Sequence, residues 1–294
     1  MNKREGIMLC YPYEPKRLTK WGLGNLFEAV IVQPKLDGDR CRAIWDNNRV
    51  VLLSSEQNEI NSVPHIIGGL DFFYRSSKNK PELDGELYSH GLSHQEIHSI
   101  VSRTTNLHPD HQKISFWIFD EVDEKKTQFQ RLERVNTICY LINKKPIKAI
   151  PYEWCDSHES IINSMNEAMA VGFEGVVIRN PLNFYVRKRS TEIMKFKPKQ
   201  RDIYRIIDVE EAISKDNEPK GILGAFVVVD DDDRVFNVGA GCLTHVEREE
   251  LWQKRESLFG KALIVQYQHI NPSGVPRFAL AEREQPYLLE INDD

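Results

Sequence analysis

The sequence of 294 residues lacks several features that would point to particular classes of protein. Its five cysteines are scattered and form no C-x-x-C pair, which argues against a disulfide framework and a zinc site. No apolar run approaches the length of a membrane span. The N-terminal residues carry no apolar secretory signal, so we expect a cytoplasmic protein without a membrane partner.

Two familiar nucleotide-binding signatures are also missing. The chain contains no P-loop of the form G-x-x-x-x-G-K-[ST] and no protein-kinase signature. Its net charge of −5 argues against wholesale coating of nucleic acid, although a local basic groove is compatible with that charge. A hydrophobic content of 40% and a length sufficient for two cores describe an ordinary globular protein.

The hexapeptide KLDGDR, residues 35–40, lies between two apolar runs that we predict to be strands. A lysine at the end of a buried strand is costly to leave charged and unpaired. Lys35 is therefore expected either to be paired or to be held as a nucleophile whose pKa is lowered. The alternative is a surface hairpin turn of the Asp-Gly kind, flanked by ordinary salt bridges.

Two acidic segments and one basic segment complete the candidate site. Glu86 lies in DGELY (84–88) and Glu174 opens EGVVIR (174–179), and the two carboxylates could hold a divalent ion. Lys195 and Lys197 fall on one face of a predicted strand and could hold phosphate, or could be a solvated basic edge. Magnesium and lysines around a phosphoryl centre provide the electrostatic stabilisation that phosphoryl transfer requires. On this interpretation, Lys35 is predicted to be the nucleophile.

Local patterns predict much of the secondary structure. A capping box at Ser93 and apolar periodicity predict helices after residue 93, over 127–142 and over 157–171, and a short helix is expected near 23–28. Short strands with one helix after residue 201 predict a small β-barrel. The spacing of His90, His94 and His98 favours a solvated helix face over a metal site, and the four aspartates 230–233 favour a solvated turn.

The ordered segments KLDGDR, DGELY, WIFDEVD (117–123), EGVVIR and MKFKPK (194–199) resemble the nucleotide-site motifs of minimal ATP-dependent DNA ligases of the viral or phage type. These enzymes belong to the covalent nucleotidyltransferase superfamily. The resemblance implies an α+β fold. An adenylation domain with antiparallel sheets and flanking helices would occupy residues 1–200, and an OB-fold β-barrel would occupy residues 201–294.

The resemblance also implies a three-step reaction that seals nicks in duplex DNA during replication, repair or recombination. Lys35 would take AMP from ATP, AMP would pass to the 5′-phosphate of the nick, and the 3′-hydroxyl would then displace it. The implied cofactors are ATP and Mg²⁺, with Mn²⁺ as a possible substitute. The expected partners are nicked duplex DNA and accessory replication or repair proteins, and we expect the enzyme to be a monomer.

Roles for individual side chains follow from the same resemblance. Gln33 and Phe119 would contact adenine, Arg40 and Glu86 the ribose, and Lys197 the α-phosphate, with Lys195 also binding the nucleotide. Asp37, Glu86 and Glu174 would bind the metal. Contacts to DNA or phosphate are implied for Arg42, Lys188, Arg189, Arg277 and Arg283.

The chain departs from the family pattern in two places. Ser55 stands where the family has an arginine that helps hold phosphate at the nick, so that Arg42 or Arg49 would substitute or nick sensing would be weaker. The C-terminal motif around Arg277 and Arg283 is irregular. An RNA ligase, a GTP-using capping enzyme, and a non-catalytic nucleic-acid-binding protein on a ligase scaffold are the alternatives.

Overall fold

The structure is a computed structural model. It describes residues 6–197, 200–241, 243–267, 269–271, 273–277, 279–282 and 288–289. The chain divides into two compact units, Met1–Lys197 and Pro198–Asp294.

The first unit combines strands with helices in an α+β arrangement. Its strands are β1 (Leu9–Pro12), β2 (Val30–Pro34), β3 (Asp39–Asp46), β4 (Arg49–Ser54), β5 (Leu83–Tyr88), β6 (Ser115–Glu121), β7 (Ile147–Ala149), β8 (Glu153–Cys155), β9 (Val176–Arg179) and β10 (Arg189–Phe196). Its α-helices are α1 (Lys16–Trp21), α2 (Pro64–Ser76), α3 (His94–Val101), α4 (Gln128–Ile142) and α5 (His158–Ala170), and Pro109–Lys113 forms a 3₁₀ helix.

Two mostly antiparallel sheets form the frame of this unit. One has the order β1-β10-β9-β2-β8 and the other the order β4-β3-β5-β6-β7. The pairs β1–β10 and β6–β7 are parallel, and the remaining neighbours are antiparallel. Helices α1 and α5 contribute to the apolar core of the first sheet, while α2, α3 and α4 contribute to the core of the second.

Helix starts in the first unit follow local sequence signals. Ser93, Thr127 and Ser157 each accept a hydrogen bond from the backbone N–H three residues later, so the helices predicted after these residues are confirmed. The helix expected near residues 23–28 is wrong. The helical segment is α1 instead, which ends at Trp21 and is capped by Gly22, whose φ of 101° is left-handed.

The second unit is the predicted small β-barrel. Its strands are β11 (Gln200–Ile213), β12 (Pro219–Val229), β13 (Val235–Gly239), β14 (Ala262–Tyr267), β15 (His269–Ile270), β16 (Pro276–Arg277), β17 (Leu280–Ala281) and β18 (Leu288–Leu289); helix α6 (His245–Gln253) and the 3₁₀ helix Arg255–Leu258 lie between them. Strand β11 pairs with both β12 and β14, which curves the sheet around an apolar core. The four aspartates form a hairpin turn in which Asp230 is paired with Arg234.

Candidate active site

Lys35 follows β2 directly, and its backbone is anchored to the segment before β9. Its N–H donates to the carbonyl of Gly175 at 2.8 Å, and its carbonyl accepts from the N–H of Glu174 at 3.0 Å. The Lys35 ammonium lies 2.5 Å from Oε2 of Glu174, and its side chain is 23% exposed. The structure therefore shows Lys35 in an ion pair with Glu174.

Glu174 joins Lys35 to the basic segment at the end of β10. Its Oε1 is paired with the ammonium of Lys197, so one carboxylate bridges two lysines. The close approach of β9 and β10 here depends on Gly175, whose φ is +140°. A Cβ at this position would lie 2.2 Å from the carbonyl oxygen of Phe196, which no side chain tolerates.

The facing sheet supplies a second set of charges. Arg40 on β3 lies opposite Glu86 on β5, and its guanidinium donates to both oxygens of Asp84 at 2.8 and 2.5 Å. The same guanidinium stacks 4.8 Å from the ring centroid of Phe119. Burial raises the pKa of Glu86 to about 7, although Lys35 and Arg40 oppose the rise.

A buried polar network lies beside these groups. Arg179 at the end of β9 donates to Oε1 of Gln33 at 2.6 Å and to Asp120 at 3.1 Å, and burial lowers its pKa. Asp120 also accepts from Arg131, which is fully buried. The amide nitrogen of Gln33 has no hydrogen-bond partner within the described residues. A donor left open in this way can serve a ligand.

These groups surround a cavity of about 410 Å³, a volume suited to a nucleotide. The predicted site residues that line it are Gln33, Lys35, Arg40, Glu86, Phe119, Arg189 and Lys195. Sequence reasoning missed Asp84, Asp120, Arg179 and Tyr185, which line the same cavity. The first three were visible as charged residues inside strand-like motifs, but nothing local indicated that Asp120 pairs with Arg179 or that Asp84 pairs with Arg40.

The three residues of the first unit that are predicted to contact DNA or phosphate, Arg42, Lys188 and Arg189, differ in their exposure and in their partners. The side chain of Arg42 is 9% exposed and is ion-paired with Glu82, and its contact with DNA or phosphate stays a prediction. Arg189 lines the cavity, and Lys188 beside it is exposed.

The two C-terminal arginines belong to the second unit. Arg277 lies in β16, and Arg283 is outside the described residues.

The three predicted metal ligands, Asp37, Glu86 and Glu174, do not form a cluster among the described residues. Within the residues that the structure describes, no three His, Cys, Asp or Glu side chains are grouped as a metal ion would require. Asp37 does not line the cavity, and the carboxylate of Glu174 is engaged by two lysines. Metal binding by these two residues and Glu86 therefore stays a prediction.

Comparison with known proteins decides the family. The family described as "ATP dependent DNA ligase domain" matches residues 14–197, and the one described as "DNA ligase OB-like domain" matches residues 217–284. The chain belongs to the ATP-dependent DNA ligase family. This ligase therefore uses ATP, acts on DNA and joins nicks, and it combines an N-terminal nucleotidyltransferase domain with a C-terminal OB fold. The RNA-directed and non-catalytic alternatives are not favoured.

Several relatives resemble this ligase along most of its length. A DNA ligase of Haemophilus influenzae is 25% identical over 287 residues, which cover 95% of this chain and 92% of the relative. A solved structure named Pmar-Lig_PreS3 has a TM-score of 0.78 at 24% identity, covering 94% of this chain and 67% of its own. A structure of Lig E DNA ligases has a TM-score of 0.73 at 21% identity, covering 95% and 98%. The two solved structures show likeness of fold.

Among the described residues of this ligase, no helix is both long and apolar enough to cross a membrane.

Proposed function

We propose that Lys35 is the residue of this ligase that carries AMP. The observation that supports the proposal most directly is the position of Lys35 at the wall of a nucleotide-sized cavity that Arg40 also lines, with its amine paired to Glu174. Attack of the neutral amine on the α-phosphorus of ATP forms a P–N bond, breaks the bond to pyrophosphate and releases a proton. The pyrophosphate then leaves the cavity.

The surrounding side chains would bind the nucleotide before this step. The open amide N–H of Gln33 is suited to an acceptor on the adenine edge, and Phe119 supplies an aromatic face beside it. Arg40 and Glu86 are proposed to hold the ribose, and Lys195 and Lys197 the phosphates. Asp84 positions Arg40, because its carboxylate accepts two hydrogen bonds from the guanidinium.

Magnesium is proposed to arrive with ATP rather than to occupy a site built by protein alone. Mg²⁺ is commonly held by one or two carboxylates together with substrate phosphates, and Glu86 and Glu174 are the carboxylates at hand. When bound, the ion neutralises negative charge on the phosphates; Mn²⁺ is proposed as a substitute. Calorimetric titration of a non-hydrolysable ATP analogue should show tighter binding with Mg²⁺, and Glu86→Gln should reduce that gain.

The proposed substrate is a nicked DNA duplex bound by a monomer, with accessory replication or repair proteins as further partners. The solved Lig E ligases are described as binding DNA with a minimal scaffold, and the present chain is of similar extent. Lys188 and Arg189 are the exposed cations of the first unit proposed to contact its phosphates. We propose the division at residue 200 as the functional boundary between adenylation and OB domains, and the cytoplasm as the site of action.

Incubation with ATP labelled in its α-phosphate and Mg²⁺ tests the proposed nucleophile. The wild type should become covalently labelled, after pyrophosphate has first removed any AMP already attached. Lys35→Ala should take no label, whereas Lys113→Ala, which removes a lysine outside the cavity, should be labelled like the wild type. Label on Lys35→Ala, or a preference for GTP, would refute the assignment. Sealing of nicked DNA compared with nicked RNA tests the substrate.

A further inference from the structure

Three neighbouring aromatic rings form a surface of the first unit, which we call the aromatic surface: Phe129, Tyr152 and Trp154. The ring centroids of Phe129 and Trp154 are 5.5 Å apart, and those of Tyr152 and Trp154 are 6.3 Å apart. Phe129 is 40% exposed and Trp154 is 47% exposed. None of the three lines the cavity that contains Lys35. Clustered exposed apolar side chains mark interaction sites, whereas single ones are ordinary.

The loop after β9 places two further exposed apolar side chains near the start of α4. The N–H of Phe129 donates to the carbonyl of Pro181 at 3.1 Å, and Phe184 forms a β-bridge with Thr127. Leu182 is 48% exposed and Phe184 is 49% exposed. The aromatic surface therefore continues into an apolar loop and is not a single misplaced ring.

Exposed carboxylates surround the aromatic surface. Glu133 lies one turn after Phe129 on α4, and its Oε1 accepts a hydrogen bond from the hydroxyl of Tyr152 at 2.7 Å, which holds the carboxylate beside the rings. Glu153 and Asp156 are exposed on and just after β8. Within the part of the chain that the structure describes, none of these three carboxylates has an ion pair with a lysine, arginine or histidine.

Two neighbouring groups respond to this negative charge. Burial first, and then the charges of Glu153 and Asp156, raise the pKa of the Cys155 thiol to about 11. Burial and the hydrogen bond to Glu133 raise the pKa of Tyr152 to about 12. A surface of this sign repels the phosphates of DNA, whereas a guanidinium stacks on aromatic rings and pairs with carboxylates. The charges therefore favour a basic protein partner over nucleic acid.

Strand β8 leaves room for an extended segment. It is the last strand in the order β1-β10-β9-β2-β8, so no other described strand pairs with its outer side. Carboxylates on an edge strand guard it against pairing with another chain. Exposed aromatic rings do not serve that purpose, because they attract apolar groups. Rings and unpaired carboxylates together suit a segment that carries both cationic and apolar side chains.

We propose that the aromatic surface binds an extended, arginine-rich segment of an accessory replication or repair protein. Guanidinium groups of the segment stack on Trp154 and Phe129 and pair with Glu133 and Glu153, while its apolar side chains cover the exposed loop after β9. The inference rests on the accessory-protein part of the proposed function and is independent of the role of Lys35.

The test measures the anisotropy of a fluorescent seven-residue peptide in which arginine and leucine alternate. A peptide that alternates glutamate and leucine is its charge control, and the full-length wild type should bind the arginine peptide at least about tenfold more tightly. Trp154→Ala should weaken binding of the arginine peptide about tenfold, as expected for an aromatic anchor. Glu133→Gln should weaken it about threefold, because exposed charge pairs contribute less.

Another exposed aromatic residue offers a matched control. Phe72 on α2 is 71% exposed. Phe72→Ala should bind the arginine peptide with wild-type affinity. Equal affinity of the wild type for both peptides, or wild-type affinity in both Trp154→Ala and Glu133→Gln, would overturn the proposal.

Two other occupants are outcomes of the same set of variants. Nicked duplex DNA that binds Trp154→Ala about tenfold more weakly than the wild type would assign the surface to DNA. Dimers seen by sedimentation in the wild type and lost in Trp154→Ala would assign it to a second copy of the chain. Either result would overturn the proposal of a basic protein partner.

Labelling with ATP separates this proposal from the proposed nucleophile. Trp154→Ala should take the label from α-phosphate-labelled ATP like the wild type, because Trp154 lies outside the cavity. A wild type that takes no label would refute Lys35 as the carrier of AMP and leave the peptide result standing. A labelled wild type without affinity for the arginine peptide would refute the aromatic surface alone.

Discussion

Glu86 should make the protein less stable than it would be with a neutral side chain at the same place. Its carboxyl is buried beside Lys35 and Arg40, and burial raises its pKa from 4.5 to about 7 in spite of these two cations. The charged carboxylate of Glu86 therefore lowers the free energy of unfolding, as expected for a group positioned for substrate. Glu86→Gln removes the charge while keeping the shape of the side chain.

The magnitude follows from linkage between proton binding and folding. The rise in pKa to about 7 corresponds to roughly 3 kcal/mol of unfolding free energy. Between pH 4.5 and 7 the folded state binds more protons than the unfolded state, so stability falls as pH rises through this window. The loss of unfolding free energy caused by ionisation of Glu86 is absent below pH 4.5 and complete above pH 7. The Glu86→Gln variant should not show this loss.

Urea denaturation at a series of pH values measures this effect. At pH 8 Glu86→Gln should be about 3 kcal/mol more stable than the wild type, and the difference should vanish near pH 4.5. Glu167→Gln, which changes an exposed glutamate of α5, should show no such pH-dependent gain. A Glu86→Gln variant that matches the wild type at both pH values, or is less stable at pH 8, would refute the reasoning.

Three further substitutions test the frame of the site by urea denaturation. Arg131→Ala should lower the unfolding free energy by about 3 kcal/mol, because it removes a fully buried side chain and leaves the buried Asp120 with Arg179 as its one remaining cation, and a loss under about 1 kcal/mol would contradict this. Thr127→Ala should lower the unfolding free energy by about 1 kcal/mol through loss of the α4 cap, and an unchanged unfolding free energy would show that the cap is dispensable. Gly175→Ala should cost about 2 kcal/mol or more and reduce adenylation, because its Cβ would meet the Phe196 carbonyl; full labelling by ATP would argue against the close approach.

Signals carried by neighbouring residues were sufficient for many elements of the fold. The caps at Ser93, Thr127 and Ser157 depend on contacts within one turn, so four consecutive residues specify each of them. The helix expected near residues 23–28 was wrong, because Gly22 and Gly24 adopt left-handed φ values that end helical structure there. Local composition indicated a helix in this region but not its position.

Local sequence patterns could not predict which side chains pair with one another. Arg40 and Arg42 are two residues apart on β3, so strand periodicity gives them the same face. One lines the cavity and the other is buried against Glu82, because the segments packed around them differ. In the same way, spacing alone could not show that Glu174 bridges Lys35 and Lys197.

The order of motifs along the chain was enough to indicate the family and the α+β architecture, since backbone turns, strand alternation and helix caps are properties of short segments. The assembly of the cavity was decided by tertiary structure. Gln33 and Arg179 are far apart in sequence yet share a hydrogen bond, and His94 meets the cavity only because α3 packs beside it. Charged side chains pair when they lie close together in space, and residues that are distant in sequence come close only when the sheets pack.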